Sequence, residues 1–303
     1  MTPRPVLLDC DPGHDDAVAI LLAAGRADAI DLRAITTVAG NADLEKVTLN
    51  ARRVMTLAGL TGVPVAAGAA GPRQGELVTA LDIHGDSGLD GAELPEPTVA
   101  LDSRDAIELM AASGPATVVA TGPLTNVATL LERAPEAVAE IVWMGGSTGR
   151  GNTQPYAEFN ALVDPEAAEI VFASGVPLTM VGLNLTHQAQ ATPAVIDRLR
   201  AIANPAADAA VGWLTFFREA YQTVFGFDGP PVHDPCALAL VIDPSLVRCV
   251  EAFVAIETEG RWTRGATVVD LHGKLAHPPN ARVAMELDAP RFWDLVLDAI
   301  AAL

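Results

Sequence analysis

The sequence predicts an α/β fold: a mainly parallel, doubly wound, Rossmann-like sheet flanked by helices, with a small antiparallel addition at the C-terminus. Three observations predict it. Apolar runs of strand length alternate with segments of helical character from residue 5 to residue 202, the signature of repeated strand-to-helix crossovers. Acids and polar amides recur where those strands are expected to end, which is where open α/β sheets bind ligands. Half of the 303 residues are apolar, enough for one large core, and no repeat or low-complexity linker divides them, so a single domain over 1–303 is expected.

Residues 5–8 form the first strand and turn through Pro12-Gly13 into a helix that includes 17–22. Residues 31–38 read as the second strand, closed by Ala39-Gly40-Asn41, and Asp43 caps a helix running to about residue 60. A short strand over 63–67 follows. Segment 68–97 is rich in Gly and Pro, and a loop of that length inside a compact domain is usually functional. The alternation continues with a helix at 105–113, a strand at 116–120, a helix at 124–132 and a strand at 141–144 ending in Gly145-Gly146. A helix at 165–174, a strand at 178–181 and a helix at 193–202 complete it.

Beyond Pro205 the rhythm breaks. Residues 206–221 predict a longer helix carrying Trp213, Phe216, Phe217 and Tyr221, which runs into 224–231 and reads as a flap or lid. His233-Asp234-Pro235-Cys236 opens another helix, through residue 242. Segments 250–258, 265–271 and 282–287 read as meandering strands, and 290–302 as a closing helix.

Charge narrows the function. The formal net charge of −19 repels polynucleotides and anionic membranes, so no nucleic-acid or membrane partner is expected. Lys46 and Lys274 are the only two lysines, which weakens any phosphate-gripping site. No apolar run reaches about 18 residues and no basic-plus-apolar leader is present, so a cytoplasmic protein is expected. Cys10, Cys236 and Cys249 are odd in number and scattered, which is no disulfide framework. Like charge on both sides makes Cys10 a poor nucleophile, and it reads as a small buried filler.

Asp9, Asp11, Asp15 and Asp16 fall within eight residues, where a buried strand gives way to a helix. Unpaired charge is costly there. A hard divalent cation, Ca²⁺ or Mg²⁺, suits such oxygen ligands, and no Cys/His cluster favours zinc. Helix capping accounts for Asp15 and Asp16 but not for Asp9 and Asp11. Further polar groups stand at later strand ends: Asn41, Thr125-Asn126, Asn152, Glu158, Asn160, Asn184 and Asp234.

The stretch Asp9-Cys10-Asp11-Pro12-Gly13-His14-Asp15-Asp16-Ala17 resembles the N-terminal signature of the nucleoside hydrolases, in particular the inosine-uridine preferring group. Further matching stretches are Ile35 to Asn41, Ile83-His84-Gly85-Asp86-Ser87-Gly88, Thr121 to Asn126, Met144-Gly145-Gly146, Ala157-Glu158-Phe159-Asn160, Asp164 to Ala168, Leu185 to Gln188 and Val232-His233-Asp234-Pro235-Cys236. The resemblance implies that Asp11, Asp16, Asp234 and the carbonyl of Thr125 bind one Ca²⁺. It puts Asp15, Asn41, Met144, Asn152, Glu158 and Asn160 around a ribose, and it implies a homodimer or homotetramer.

The implied chemistry suits these residues. Cleaving an N-ribosidic bond builds positive charge on the sugar, which carboxylates and amide oxygens stabilise. Calcium can hold a ribose diol and a water, with Asp11 placed to take the water's proton. The departing base needs a proton, for which His84 and His233 are the candidates. His14 reads as structural or entrance-lining, and His187 as packed near the core. His272 and His277 carry no signal.

Asp86 stands where relatives commonly carry Glu. Phe217 stands one turn before Tyr221, where some relatives have a second tyrosine, leaving Tyr221 as the hydroxyl near the base. Two alternatives remain at this level. Asp9-Cys10-Asp11 has the aspartate spacing of haloacid-dehalogenase-like phosphatases, although Gly13 stands where those carry Thr or Val. A non-catalytic ribonucleoside-binding protein could keep the same pocket.

Overall fold

The structure is a computed structural model that describes residues 2–225, 227 and 229–303, with residues 219–225 described by their helical backbone alone. Its strands are β1 (Arg4–Cys10), β2 (Ile30–Thr37), β3 (Val65–Ala67), β4 (Ala116–Ala120), β5 (Val138–Met144), β6 (Leu178–Val181), β7 (Val247–Ile256), β8 (Thr267–Asp270) and β9 (Ala281–Leu287). They form one sheet in the order β3-β2-β1-β4-β5-β6-β9-β7-β8. The pairings from β3 through β6 are all parallel. The C-terminal addition is only partly a meander. β9 crosses over to pair parallel with β6, and β7 and β8 then add the antiparallel edge.

The helices are α1 (His14–Gly25), α2 (Leu44–Leu57), α3 (Leu81–His84), α4 (Ala106–Ser113), α5 (Thr125–Arg133) and α6 (Phe159–Val163), then α7 (Pro165–Ala173), α8 (Leu183–Thr186), α9 (Pro193–Ile202), α10 (Pro205–Phe225), α11 (Asp234–Ile242) and α12 (Ala289–Ala301). Local chemistry sets several starts. Asp43 accepts the N–H of Lys46 at 2.9 Å, Asp105 and Glu108 form a capping box, and Pro165 follows the capping Asp164. α3, α6 and α8 lie in segments that the sequence reads as connections, because four or five residues are too few to register a helical period.

Strand alternation divides the core in two. Val6, Leu8 and Cys10 of β1 pack on one face with α1, α11 and α12, while Leu7 packs on the other with α5 and α7. Burial is nearly complete along α1 from His14 to Ala23. Cys10 and Cys236 are buried and all three cysteines are free. Strand order reverses between β1 and β4, so the crevice beyond their carboxyl ends is the expected ligand site. Among the described residues, no helix is long and apolar enough to cross a membrane.

Candidate active site

A cavity of about 270 Å³ opens at these strand ends, near the low end for small-molecule sites. Its walls include Asp15, Asn41 and Met144, together with Asn152, Glu158 and Asn160, all six expected around the sugar. His84, His233 and Asp234 also line it. The side chain of Tyr221 lies outside the described residues. Asp11, Asp16 and Thr125 are buried but are not among the lining residues.

At the carboxyl end of β1 the acids converge. Oxygens of Asp15, Asp16 and Asp234 lie within 4.8 Å of one another, a spacing that can hold a metal ion. Asp11, expected as a ligand, is outside that triad and Asp15 is inside it. Asp11 Oδ2 accepts the main-chain N–H of Asn41 at 2.8 Å, while Oδ1 is buried with no hydrogen-bond partner. Its carboxylate sits in a slot that only glycines permit: a Cβ on Gly122 would stand 2.6 Å from Oδ1, and one on Gly40 would strike Oδ2. Asp16 accepts from Thr121 Oγ1 at 2.7 Å and from Gly13 N at 3.1 Å. The N–H of His233 donates to Asp15 Oδ2 at 3.1 Å.

Burial pushes Asp11 and Asp234 well above the usual carboxylate range, and their acidic neighbours push them further. Asp15 and Asp16 rise as well, again chiefly through burial. Acids crowded in this way either hold protons or hold a cation. The unpartnered Asp11 Oδ1 and the all-oxygen donor set fit a hard divalent ion.

Asp9 serves differently from the other acids of its cluster. Its Oδ1 accepts from Thr36 Oγ1 at 2.7 Å and Asn126 Nδ2 at 2.8 Å, which makes it a strut between β1, β2 and α5. Asn126 is consumed there too, and Asn184 donates to the carbonyl of Ala284 at 2.8 Å, so neither reaches the cavity. The Thr125 carbonyl accepts from Thr129 Oγ1 at 2.9 Å, and Thr125 Oγ1 donates to Asp164 at 2.6 Å.

The opposite wall is built from α6. Glu158 caps that helix, accepting N–H groups of Asn160 at 3.0 Å, Ala161 at 3.1 Å and Gly146 at 2.8 Å. Burial nevertheless raises its carboxyl to about 7. Asn160 Nδ2 donates to the carbonyls of Thr121 at 2.8 Å and Met144 at 3.0 Å, which leaves its amide oxygen for a ligand. Asn152 accepts the N–H of Phe159 at 3.0 Å.

His84 is buried in α3, not a solvated loop residue, and burial drives its pKa well below the usual histidine range. His233 pairs with Thr186 Oγ1 at 2.7 Å and is lowered to about 4 by burial. His187 packs beside Phe227 and His233, as expected. His14 is fully buried, which makes it structural and removes the entrance-lining option. Thr121, Asp82 and Phe217 line the cavity without having been singled out for it. Thr121 opens a stretch already marked and Asp82 adjoins another, but a one-turn helix gives no periodic signal that would aim Asp82.

Carboxylates and amides are most of the polar groups in this lining and no lysine enters it, which is hostile to a phosphate and suited to a sugar that turns cationic. The class these features define is a glycosidase-type hydrolase. The chain belongs to the inosine-uridine preferring nucleoside hydrolase family, whose model matches residues 6–294, and N-ribohydrolase activity follows with that membership.

The pyrimidine-specific ribonucleoside hydrolase RihA of Escherichia coli strain K12 is 48% identical, with 98% of each chain covered. A purine-preferring ribonucleoside hydrolase from Gardnerella vaginalis has a similar structure, with a TM-score of 0.91, 32% identity and 98% of both chains covered. An inosine-guanosine nucleoside hydrolase gives a TM-score of 0.87 at 29% identity, again over 98% of both chains.

Proposed function

We propose that this chain is a Ca²⁺-dependent hydrolase of the N-glycosidic bond of uridine, cytidine and inosine, releasing ribose and the free base. The observation that carries the reading is the convergence of three buried acids, Asp15, Asp16 and Asp234, with the neighbouring Asp11 Oδ1 left unpartnered. Asp11, Asp16, Asp234 and the Thr125 carbonyl would hold the ion, and Asp15 stands close enough to join them. Calcium, when bound, supplies a positive charge that orders sugar hydroxyls and acidifies a water.

The protein's own groups do the rest. Asp15, Asn41, Met144, Asn152, Glu158 and Asn160 grip the ribose, and the carboxylate and amide oxygens among them favour positive charge as it develops at the anomeric carbon. A water oxygen bonds to that carbon as the carbon–nitrogen bond breaks, and the electron pair leaves with the base. Asp11 takes the water's proton. His84 and His233 flank the cavity beside the departing base, and His233 is the group that would handle its proton. The 48% identity to a pyrimidine-specific enzyme supports pyrimidine ribonucleosides as preferred substrates. The wider reading is a one-domain cytoplasmic protein, acting in nucleoside salvage as a homodimer or homotetramer.

The test is incubation with uridine, cytidine and inosine, in Ca²⁺ or in chelator, with free base and ribose measured by chromatography. Release in Ca²⁺ and its loss in chelator are expected. Recovery of intact nucleoside under every condition would mark a binding protein instead.

A further inference from the structure

We propose that His14 is a positioning residue that locks the tautomer of His84, so that His84 meets the nucleobase as a hydrogen-bond acceptor. The proposal rests on the nucleoside reading above, since a base is what would lie against His84. His14 Nε2 stands 2.7 Å from the main-chain oxygen of Asp90. A carbonyl can only accept, so Nε2 carries the hydrogen. A neutral imidazole has one N–H, and His14 Nδ1 therefore offers a lone pair. That atom lies 2.9 Å from His84 Nδ1, which must then be the donor. The second ring nitrogen of His84, Nε2, is left with a lone pair.

Packing holds this arrangement. His14 stacks on His84 at 5.0 Å, on Phe216 at 5.3 Å and on Phe217 at 5.2 Å between centroids, and Phe217 also stacks on His84 at 5.5 Å. A Cβ on Gly13 would come within 2.6 Å of His84 Nδ1 and Cε1, so this edge of the ring is pressed against the start of α1. The N–H of His14 also points at His84 Nδ1, but at 3.4 Å it is too long to displace the 2.9 Å partner. Both rings are buried and stacked on phenylalanine, and an imidazolium would lose its hydration there, so both rings are neutral.

With Nδ1 committed, Nε2 is the ring nitrogen open to a ligand in the cavity that His84 lines. Asp82, which can only accept when ionised, lines the same cavity. The base edge recognised there is one that offers N–H: the ring N3–H of uracil or the exocyclic amine of cytosine. On this assignment His84 orients the base rather than protonating it.

Histidine ¹⁵N spectra of the intact protein test the tautomer without any substrate, with His84 assigned by the signal missing from His84→Asn. A pyrrole-type Nδ1 and a pyridine-type Nε2 are expected. A protonated Nε2 overturns the proposal, whether or not the protein hydrolyses nucleosides. His14→Asn can still accept from His84 through its amide oxygen, and His14→Leu cannot. The Leu variant should raise the KM for uridine about tenfold, the size of one lost hydrogen bond, while Asn stays within about threefold of the parent. An unchanged KM in a folded Leu variant also overturns it. Should the Leu variant fail to fold, the spectra of the parent and the Asn variant decide.

Discussion

The main-chain N–H of Asn41 donates to Asp11 Oδ2 across 2.8 Å, while Asp11 Oδ1 is buried with no hydrogen-bond partner. One oxygen is thus anchored to the loop after β2 and the other is free for chemistry. Asp11→Asn keeps the shape and removes the proton acceptor. It should lower kcat for uridine by about 10²- to 10⁴-fold, the usual range for a general base. The unfolding midpoint should hold or rise, because a buried acid disfavoured by its neighbours has been neutralised. Urea melts run beside steady-state kinetics check both halves, and a collapsed fold would reassign Asp11 as a structural residue.

Metal removal should be visible without substrate. An ion that binds only the folded chain stabilises it by about 2.7 kcal/mol at a hundredfold excess over its Kd. For a chain of this size that corresponds to about 4 °C in Tm. Scanning calorimetry should show a lower Tm in chelator, restored by Ca²⁺. In Asp16→Asn and Asp234→Asn the response to Ca²⁺ should shrink, since each loses one oxygen charge of the triad. A Tm indifferent to chelator would count against a resident ion.

Much of this was legible in the residues, and the gaps have physical causes. β4, β6 and α9 fall where apolar runs and bounding Gly or Pro put them, because buried parallel strands and capped helices leave strong local signals. The parallel entry of β9 between β6 and β7 did not, since strand order depends on long-range pairing that no local pattern encodes. In the site, Asn41, Glu158 and Asn160, picked out as polar groups at strand ends, line the cavity. Asp9, Asn126 and Asn184 also stand at strand ends, but Asp9 Oδ1, the Asn126 amide and Asn184 Nδ2 bond to neighbouring chain and none of the three lines the cavity. Sequence gives the depth of a residue along a strand; it does not give the partner that claims its side chain.

Glu158 links the site to pH. Burial lifts its carboxyl from 4.5 to about 7 in the fold, despite three N–H donors. The sign follows from linkage: a folded pKa above the unfolded one means the fold loses stability as pH rises from about 4.5 to about 7, with the full penalty above that. A rise of that size corresponds to about 3–4 kcal/mol. Glu158→Gln carries no such penalty, so its stability relative to the parent should improve by an amount of that order between pH 5 and pH 8. Urea denaturation of both proteins across that range checks it, and parallel curves would mean Glu158 is ionised normally.

Asn160 ties the two strand ends that frame the cavity, donating from one amide to the carbonyl of Thr121 after β4 and to that of Met144 at the end of β5. Both carbonyls belong to buried residues of the cavity wall, so the loss of their shared donor leaves two acceptors without a protein partner in its place. Asn160→Ala should therefore cost about 2–4 kcal/mol of stability, more than a surface substitution and enough to shift a urea midpoint clearly. The same change deletes the amide oxygen facing the cavity, so kcat/KM should fall together with stability. Asn160→Asp separates the two effects: it keeps an oxygen toward the ligand but sets a carboxylate against two carbonyls. If the Asn160→Asp variant were as stable as the parent, the two donated hydrogen bonds would not be what holds β4 and β5 in register at the cavity.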